Sequence, residues 1–156
     1  MKKKMFALSC CSVILLAWCN DIANYNDTLV SAVDKCSEAV NTISGEITKN
    51  DIEKAWEVCS QSKEIIQNLG AFEEDESFQK SALEYVDSLL SYISTHEKML
   101  PFNNLLKEEF TDDMIRNYNS IILELQKQNN DMIQKSDELQ HTQEVFAQNH
   151  WWEIEE

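Results

Sequence analysis

Residues 111–149 read TDDMIRNYNS IILELQKQNN DMIQKSDELQ HTQEVFAQN, a stretch with no Gly and no Pro. Thr111 suits an N-cap, and Asp112 and Asp113 follow where the positive end of a helix dipole favours acid. Tyr118, Leu125, Met132, Leu139 and Phe146 recur at sevens, one apolar edge of a long helix. Their companions Ile122, Asn129, Ser136 and Gln143 turn polar after the first, so half of the seam is wet. A single helix over this stretch reaches roughly 55 Å at 1.5 Å per residue. It needs neighbours to bury the apolar edge, and the rest of the chain is read for them.

Three shorter amphipathic helices precede it. From 20 to 44 the apolar positions Ile22, Tyr25, Leu29, Ala32, Cys36, Ala39 or Val40, and Ile43 step by threes and fours. Residues 45–49 form a link in which Gly45 suits a left-handed C-terminal cap. Asn50 and Glu53 have capping-box spacing for a second helix with the stripe Ile52, Ala55 or Trp56, Cys59, Ile66 and Leu69, ended by Gly70. After the acidic turn 71–77, Asp75 or Ser77 caps a third helix carrying Phe78, Ala82, Tyr85, Leu89, Tyr92 or Ile93, and His96. Pro101 ends or kinks it, because the residue before a proline is pushed out of helical geometry. Four amphipathic helices with short links predict an all-α, up-down-up-down four-helix bundle with a long C-terminal helix. Helix four is longer than its neighbours at roughly 30–37 Å, so it overhangs or bends. In this topology its C-terminus shares an end with the start of helix one.

Composition agrees. The 156 residues hold 2 Gly and 1 Pro, too few for the turns of a sandwich, barrel or doubly wound sheet. With 13 Lys+Arg against 28 Asp+Glu the net charge is −15, which argues against a nucleic-acid partner. At 43% hydrophobic the chain is too apolar to be disordered throughout.

The N-terminus reads as an address. Lys2, Lys3 and Lys4 precede an uncharged apolar run from Met5 to Trp18, shorter than the ~18–20 residues of a membrane span and typical of an export signal. Leu16-Ala17-Trp18-Cys19 resembles a bacterial lipobox, in which the cysteine becomes the lipidated first residue; Trp18 is bulkier than that pattern expects. Ordinary cleavage after Cys19, releasing a chain from Asn20, and an uncleaved anchor are the other readings. The division is a signal peptide over 1–18 and one helical domain over 19–156. Loss of the signal leaves 10 basic residues against 28 acidic ones, a charge of −18. Anionic headgroups would repel such a chain unless something covalent holds it to the membrane.

Cys36 and Cys59 lie symmetrically about the link between helices one and two, at the same height in an antiparallel hairpin, and both are on the core-facing stripe. Two readings stand: a disulfide closing a loop of about 24 residues, or two buried thiols acting as small hydrophobes. Export into an oxidising compartment suits the first.

Other candidate chemistry is thin. Glu138-Leu139-Gln140-His141 has the spacing used by di-metal bundles, but such sites need two of these motifs, and Leu139 holds the core phase. His96 is expected half-buried with its hydrogen bonds met, and His150 belongs to a terminal aromatic cluster. Glu73-Glu74-Asp75-Glu76 lacks the spacing and the glycine of a calcium loop and reads as a solvated turn. There is no Gly-x-Ser-x-Gly elbow, no phosphate loop and no Cys–His arrangement with a third orienting group. No enzyme activity, metal or cofactor is expected. Trp151 and Trp152 cap the bundle end, sit at a headgroup interface, or stack on a ligand.

Three stretches carry a resemblance: Asn24-Tyr25-Asn26; Phe72, Asp75, Phe78, Lys80, Ala82 and Tyr85; and Phe146-Ala147-Gln148-Asn149-His150-Trp151. The chain resembles the LIC-type family of small helical surface proteins of spirochaetes and the Bacteroidetes group, which pair an export or lipoprotein signal with about four helices. The segment around Pro101 departs from that family's third connection. The resemblance implies a bundle fold and an envelope address and brings no catalytic residue.

The function expected is that of a non-enzymatic cell-envelope or surface protein, held to the membrane by a lipid at Cys19 or else secreted or periplasmic. Asn129, Ser136 and Gln143 on helix four are where a protein partner or a second copy docks, unless they merely face water. The alternative is an envelope carrier of a small ligand or metal, with a pocket lined by Tyr25, Trp56, Tyr85 and Tyr92.

Overall fold

The computed structural model describes residues 8–43, 47–106 and 109–151, with the backbone alone over 8–20 and at Trp151. It is an all-α four-helix bundle: α1 (Leu8–Asn41), α2 (Lys49–Leu69), α3 (Ser77–Glu97) and α4 (Asp112–Trp151), with a 3₁₀ turn at Leu100–Phe102 between α3 and α4. Gly45, Trp152 and Lys2 to Lys4 lie outside the described residues. The side chain of Cys19 does too, although its backbone is part of α1.

α1 starts well before the expected 20–44, because the apolar run of the leader continues the same helix without a break. Its buried residues are Ile22, Tyr25, Leu29, Ala32, Val33, Cys36 and Val40, with Ile43 just beyond its end. α2 starts earlier than the Asn50 cap predicts. Thr48 is the N-cap: its hydroxyl accepts the Asp51 N–H at 3.2 Å while Asp51 takes the Thr48 N–H at 3.1 Å, a reciprocal capping box. Tertiary packing selects Thr48 over Asn50. It puts Ile47 at N′ and Ile52 at N4, both packed on the core, where a hydrophobic staple holds them. Gly70, at φ 72°, ends α2 in the left-handed region that glycine adopts without a Cβ clash.

The first two helices meet through small residues. The Sγ atoms of Cys36 and Cys59 are bonded and the two Cα atoms are 4.5 Å apart. An approach this close suits Ala32, Ala55 and Ser62, all buried, and leaves no room for an indole. Of the pair Ala55 and Trp56, the alanine therefore faces α1, and Trp56 is 46% exposed.

The turn between α2 and α3 is a minimal hairpin. Phe72 and Asp75 exchange backbone hydrogen bonds at 2.8 and 3.3 Å, with Glu73 and Glu74 both at positive φ. The N-cap of α3 is Glu76, which makes no side-chain cap bond, rather than the expected Asp75 or Ser77; Asp75, one residue earlier, accepts the Ser77 N–H at 3.0 Å. On α3 the core takes Phe78, Ala82, Val86, Leu89 and Ile93, leaving Tyr85 and Tyr92 half-buried beside them.

α4 runs antiparallel to α3. Its cap is Thr111, whose hydroxyl accepts the Met114 N–H at 3.3 Å. Three ties fix the register: Thr95 to Glu124, Ser91 to Gln128 and Glu84 to Lys135. Each step down α3 is matched by an equal step up α4, as antiparallel helices require. Past the end of α3 the start of α4 overhangs, and Phe102 and Phe110 fold under it, packing against Tyr118. Asn103 ties this segment to the carbonyl of Ile47 at 2.6 Å.

Candidate functional site

α4 is tied to α3 along its length and anchored by aromatic clusters at its two ends, but its middle does not close on α1. At the α1 N-terminal end, Phe146 lies in an aromatic cluster with Tyr25 at 5.4 Å, Phe78 at 5.3 Å and Phe72 at 5.6 Å between ring centres. At the other end Ile121 is buried, one helical turn on from Tyr118, which packs edge-on to Phe102 at 5.5 Å. Phe146 and Ile121 are the fully buried positions among the described side chains of α4. The sevens Tyr118, Leu125, Met132 and Leu139 are only half-buried. The polar companions explain this: a seam that alternates Asn129 and Ser136 with Met132 and Leu139 gives α1 too little apolar surface to close on.

α1 and α4 therefore leave a trough with α3 as its floor. Two adjoining recesses of about 400 and 470 Å³ make it up, and Ser37, Tyr85 and Ser136 line both. Below them Leu29, Val33, Leu89, Met132 and Leu139 form an apolar bed. The Tyr85 hydroxyl lies 3.4 Å from Ser37 Oγ, so the bed carries one polar pair at mid-length. Of the three residues expected to dock a partner, Asn129 and Ser136 stand exposed on the trough wall. Gln143 is instead engaged: its Nε2 donates to Asn26 Oδ1 at 3.1 Å and closes one end of the trough. Asp34 and Glu144 stand on the rims. The sequence pointed to the α4 wall through its polar companions. Ser37 was missed as part of the wall, since it reads as an ordinary position beside a core stripe, whereas Tyr85 on the floor was among the aromatics expected to line a carrier pocket.

The four aromatics proposed for a carrier pocket do not converge. Tyr25 sits in the end cluster with its hydroxyl donating to Gly70 O at 3.0 Å, and Trp56 faces out from α2. Only Tyr85 and Tyr92 reach the trough. Burial, and secondarily the charge of Asp75, push the Tyr25 phenol up to about 12.

The remaining candidates separate in the same way. Glu138 is bonded by Lys135 at 2.9 Å and by Gln134 at 3.0 Å, which hold its carboxyl below the usual range, and His141 is exposed. Among the described residues no group of three or more His, Cys, Asp or Glu side chains is placed to hold a metal. His96 is buried with neither ring nitrogen hydrogen-bonded, contrary to the expectation of a satisfied residue. Its ring packs edge-on to Tyr92 at 4.4 Å, and burial lowers its pKa. His150 packs at a tilt against Phe146 and edge-on to Phe72, with Glu73 at 3.8 Å and Asp75 at 3.6 Å, distances of an ion pair once the imidazole is protonated. Trp151 closes α4 at this end.

Among the described residues no helix is long and apolar enough to cross a membrane. No family model, no curated protein and no solved structure matches the chain.

Proposed function

We propose that the chain is an exported envelope protein without enzymatic activity, anchored by a lipid at Cys19, whose bundle holds a protein partner in the trough between α1 and α4. One observation carries the docking part of this reading: α4 is pinned by aromatic clusters at both ends while its middle stands off α1 over an apolar bed. A bundle selected only for stability would fill those positions with Leu or Ile; Asn129 and Ser136 keep them open.

The address rests on the leader. Lys2 to Lys4, the short apolar run and Cys19 form an export signal of lipoprotein type. A buried Cys36–Cys59 bond suits an oxidising compartment, and the resemblance to LIC-type surface proteins gives the same address. Ile22, the first buried residue among the described side chains, follows Cys19 by three positions, so a lipid there holds the bundle close to the bilayer. The Trp151 end then faces the headgroups and the trough runs away from them. Metabolic labelling with palmitate in the host tests this: wild type is expected to carry label and to sediment with membranes. Cys19→Ala is expected to do neither. An unlabelled chain beginning at Asn20 would replace anchoring with secretion.

A further inference from the structure

We infer that the occupant of the trough is a basic amphipathic helix of another protein. This rests on the reading of the trough as a docking surface. From Leu29 to Ile43 the trough runs about 21 Å, four turns of helix. Its bed is apolar and its walls are two antiparallel helices, the setting in which an amphipathic helix lays its apolar face.

Charge selects the occupant. Over residues 21–41 α1 carries Asp21, Asp27, Asp34 and Glu38 against Lys35. Over 129–149 α4 carries Asp131, Asp137, Glu138 and Glu144 against Lys135. Neither lysine serves the trough. Lys35 opens, with Asp27, on the opposite side of α1, beside Ile65 of α2. Lys135 is held by Glu84 at 2.7 Å and Glu138 at 2.9 Å. Asp34 and Glu144 on the rims meet no Lys or Arg among the described residues. An arriving helix therefore finds an apolar bed between two acidic rims with no cation in either wall. A second copy of this chain does not suit it, because each of the four helices carries more acid than base. A fatty acid or other anionic ligand meets the same repulsion. A helix with Leu or Ala on one face and Lys or Arg on its flanks matches both bed and rims.

The test uses the mature protein isolated from its host and a synthetic 21-residue helix, about the length of the trough with one turn to spare at each end, with Leu and Ala on one face and Lys on the other. Fluorescence anisotropy measures its binding. Three variants accompany wild type. Ser136→Trp fills the saddle between the recesses without changing charge. Asp34→Lys/Glu144→Lys reverses the rims. Glu57→Lys/Glu64→Lys makes the same charge change on the exposed face of α2. The expected result is binding by wild type, weakened at least ~10-fold by the first two variants and less than ~3-fold by the third. Equal weakening by the α2 pair means diffuse attraction and overturns the proposal. Binding of a Glu-substituted version of the helix that Ser136→Trp abolishes would overturn the basic occupant and keep the trough as a docking surface. So would a dimer in light scattering that Ser136→Trp dissolves. Failure of every probe, with Ser136→Trp altering nothing, would overturn both.

Discussion

Reducing the Cys36–Cys59 bond gives the fold its sharpest quantitative test. The bond closes a loop with a sequence separation of 23, and both cysteines are fully buried. In the chain-entropy account, opening such a loop frees the unfolded chain by about 3.5 kcal/mol at 25 °C. The native helices keep their other contacts, since Leu29, Val33, Val40, Ile52 and Ile66 remain packed. The reduced protein should therefore stay folded, against a typical total of roughly 5–15 kcal/mol. For a domain of this size each kcal/mol moves the melting temperature by about 3–4 °C, so reduction should lower Tm by about 10–14 °C. Cys36→Ala/Cys59→Ala should lose the same plus ~1 kcal/mol for two missing sulfurs in a packed seam. Calorimetry or circular dichroism with and without reductant reads the shift. Urea titration should also show a larger m-value on reduction, because the unfolded chain expands. Burial adds a kinetic signature: reductant should act slowly on the folded protein and at once in denaturant. A Tm change below about 3 °C, with full reduction shown by mass, would refute the reasoning.

Further outcomes follow from the same packing. Phe146→Ala empties the end cluster that pins α4 and should cost about 3–5 kcal/mol in urea unfolding, whereas Trp56→Ala, on the exposed side of α2, should stay within about 0.5 kcal/mol. The Tyr25 phenol, pushed up to about 12 against an ordinary 10.0, stays protonated in the fold while the unfolded chain ionises; its contribution is complete below pH 10 and is lost as pH rises toward 12, a slope that Tyr25→Phe should remove in alkaline melts. His96 has the opposite sense: burial lowers its pKa below 6.5, so stability is lost as pH falls through that range. His96→Leu should flatten the loss and raise Tm at pH 5. Glu73 and Glu74 hold positive φ without being glycine or asparagine, so Glu73→Asn/Glu74→Gly should stabilise the hairpin by about 1 kcal/mol in the same melts.

The helices were legible because their burial follows a period. Ile22, Leu29, Cys36 and Val40 recur at helical spacing, and the structure buries each of them. Symmetry about the first link was enough to bring Cys36 and Cys59 to one height. Positions decided by neighbours rather than by period were not legible. Thr48 and Asn50 are both sound caps, and only the placing of Ile47 and Ile52 distinguishes them. Ala55 and Trp56 both sit near the stripe of α2, and the choice depends on how closely α1 approaches, which no single helix encodes. The trough was half visible. Asn129 and Ser136 announce an open wall, and Tyr85 and Tyr92 read as pocket-lining, but the α1 wall at Ser37 and the Gln143–Asn26 closure arise from where α1 and α4 stand relative to α3. His96 failed for a similar reason: local sequence gives its phase on α3 and says nothing about partners for its ring nitrogens.

Site-specific photocrosslinking in living host cells tests the docking surface most directly. A photoreactive residue at Ser136, on the trough, is compared with the same residue at Glu57, on the far face of α2. The account predicts one discrete adduct from position 136 and none from 57, with the crosslinked segment of the partner a Lys- or Arg-rich amphipathic helix. Equal adducts from both positions, none from 136, or an acidic segment from a second copy of this chain would contradict it.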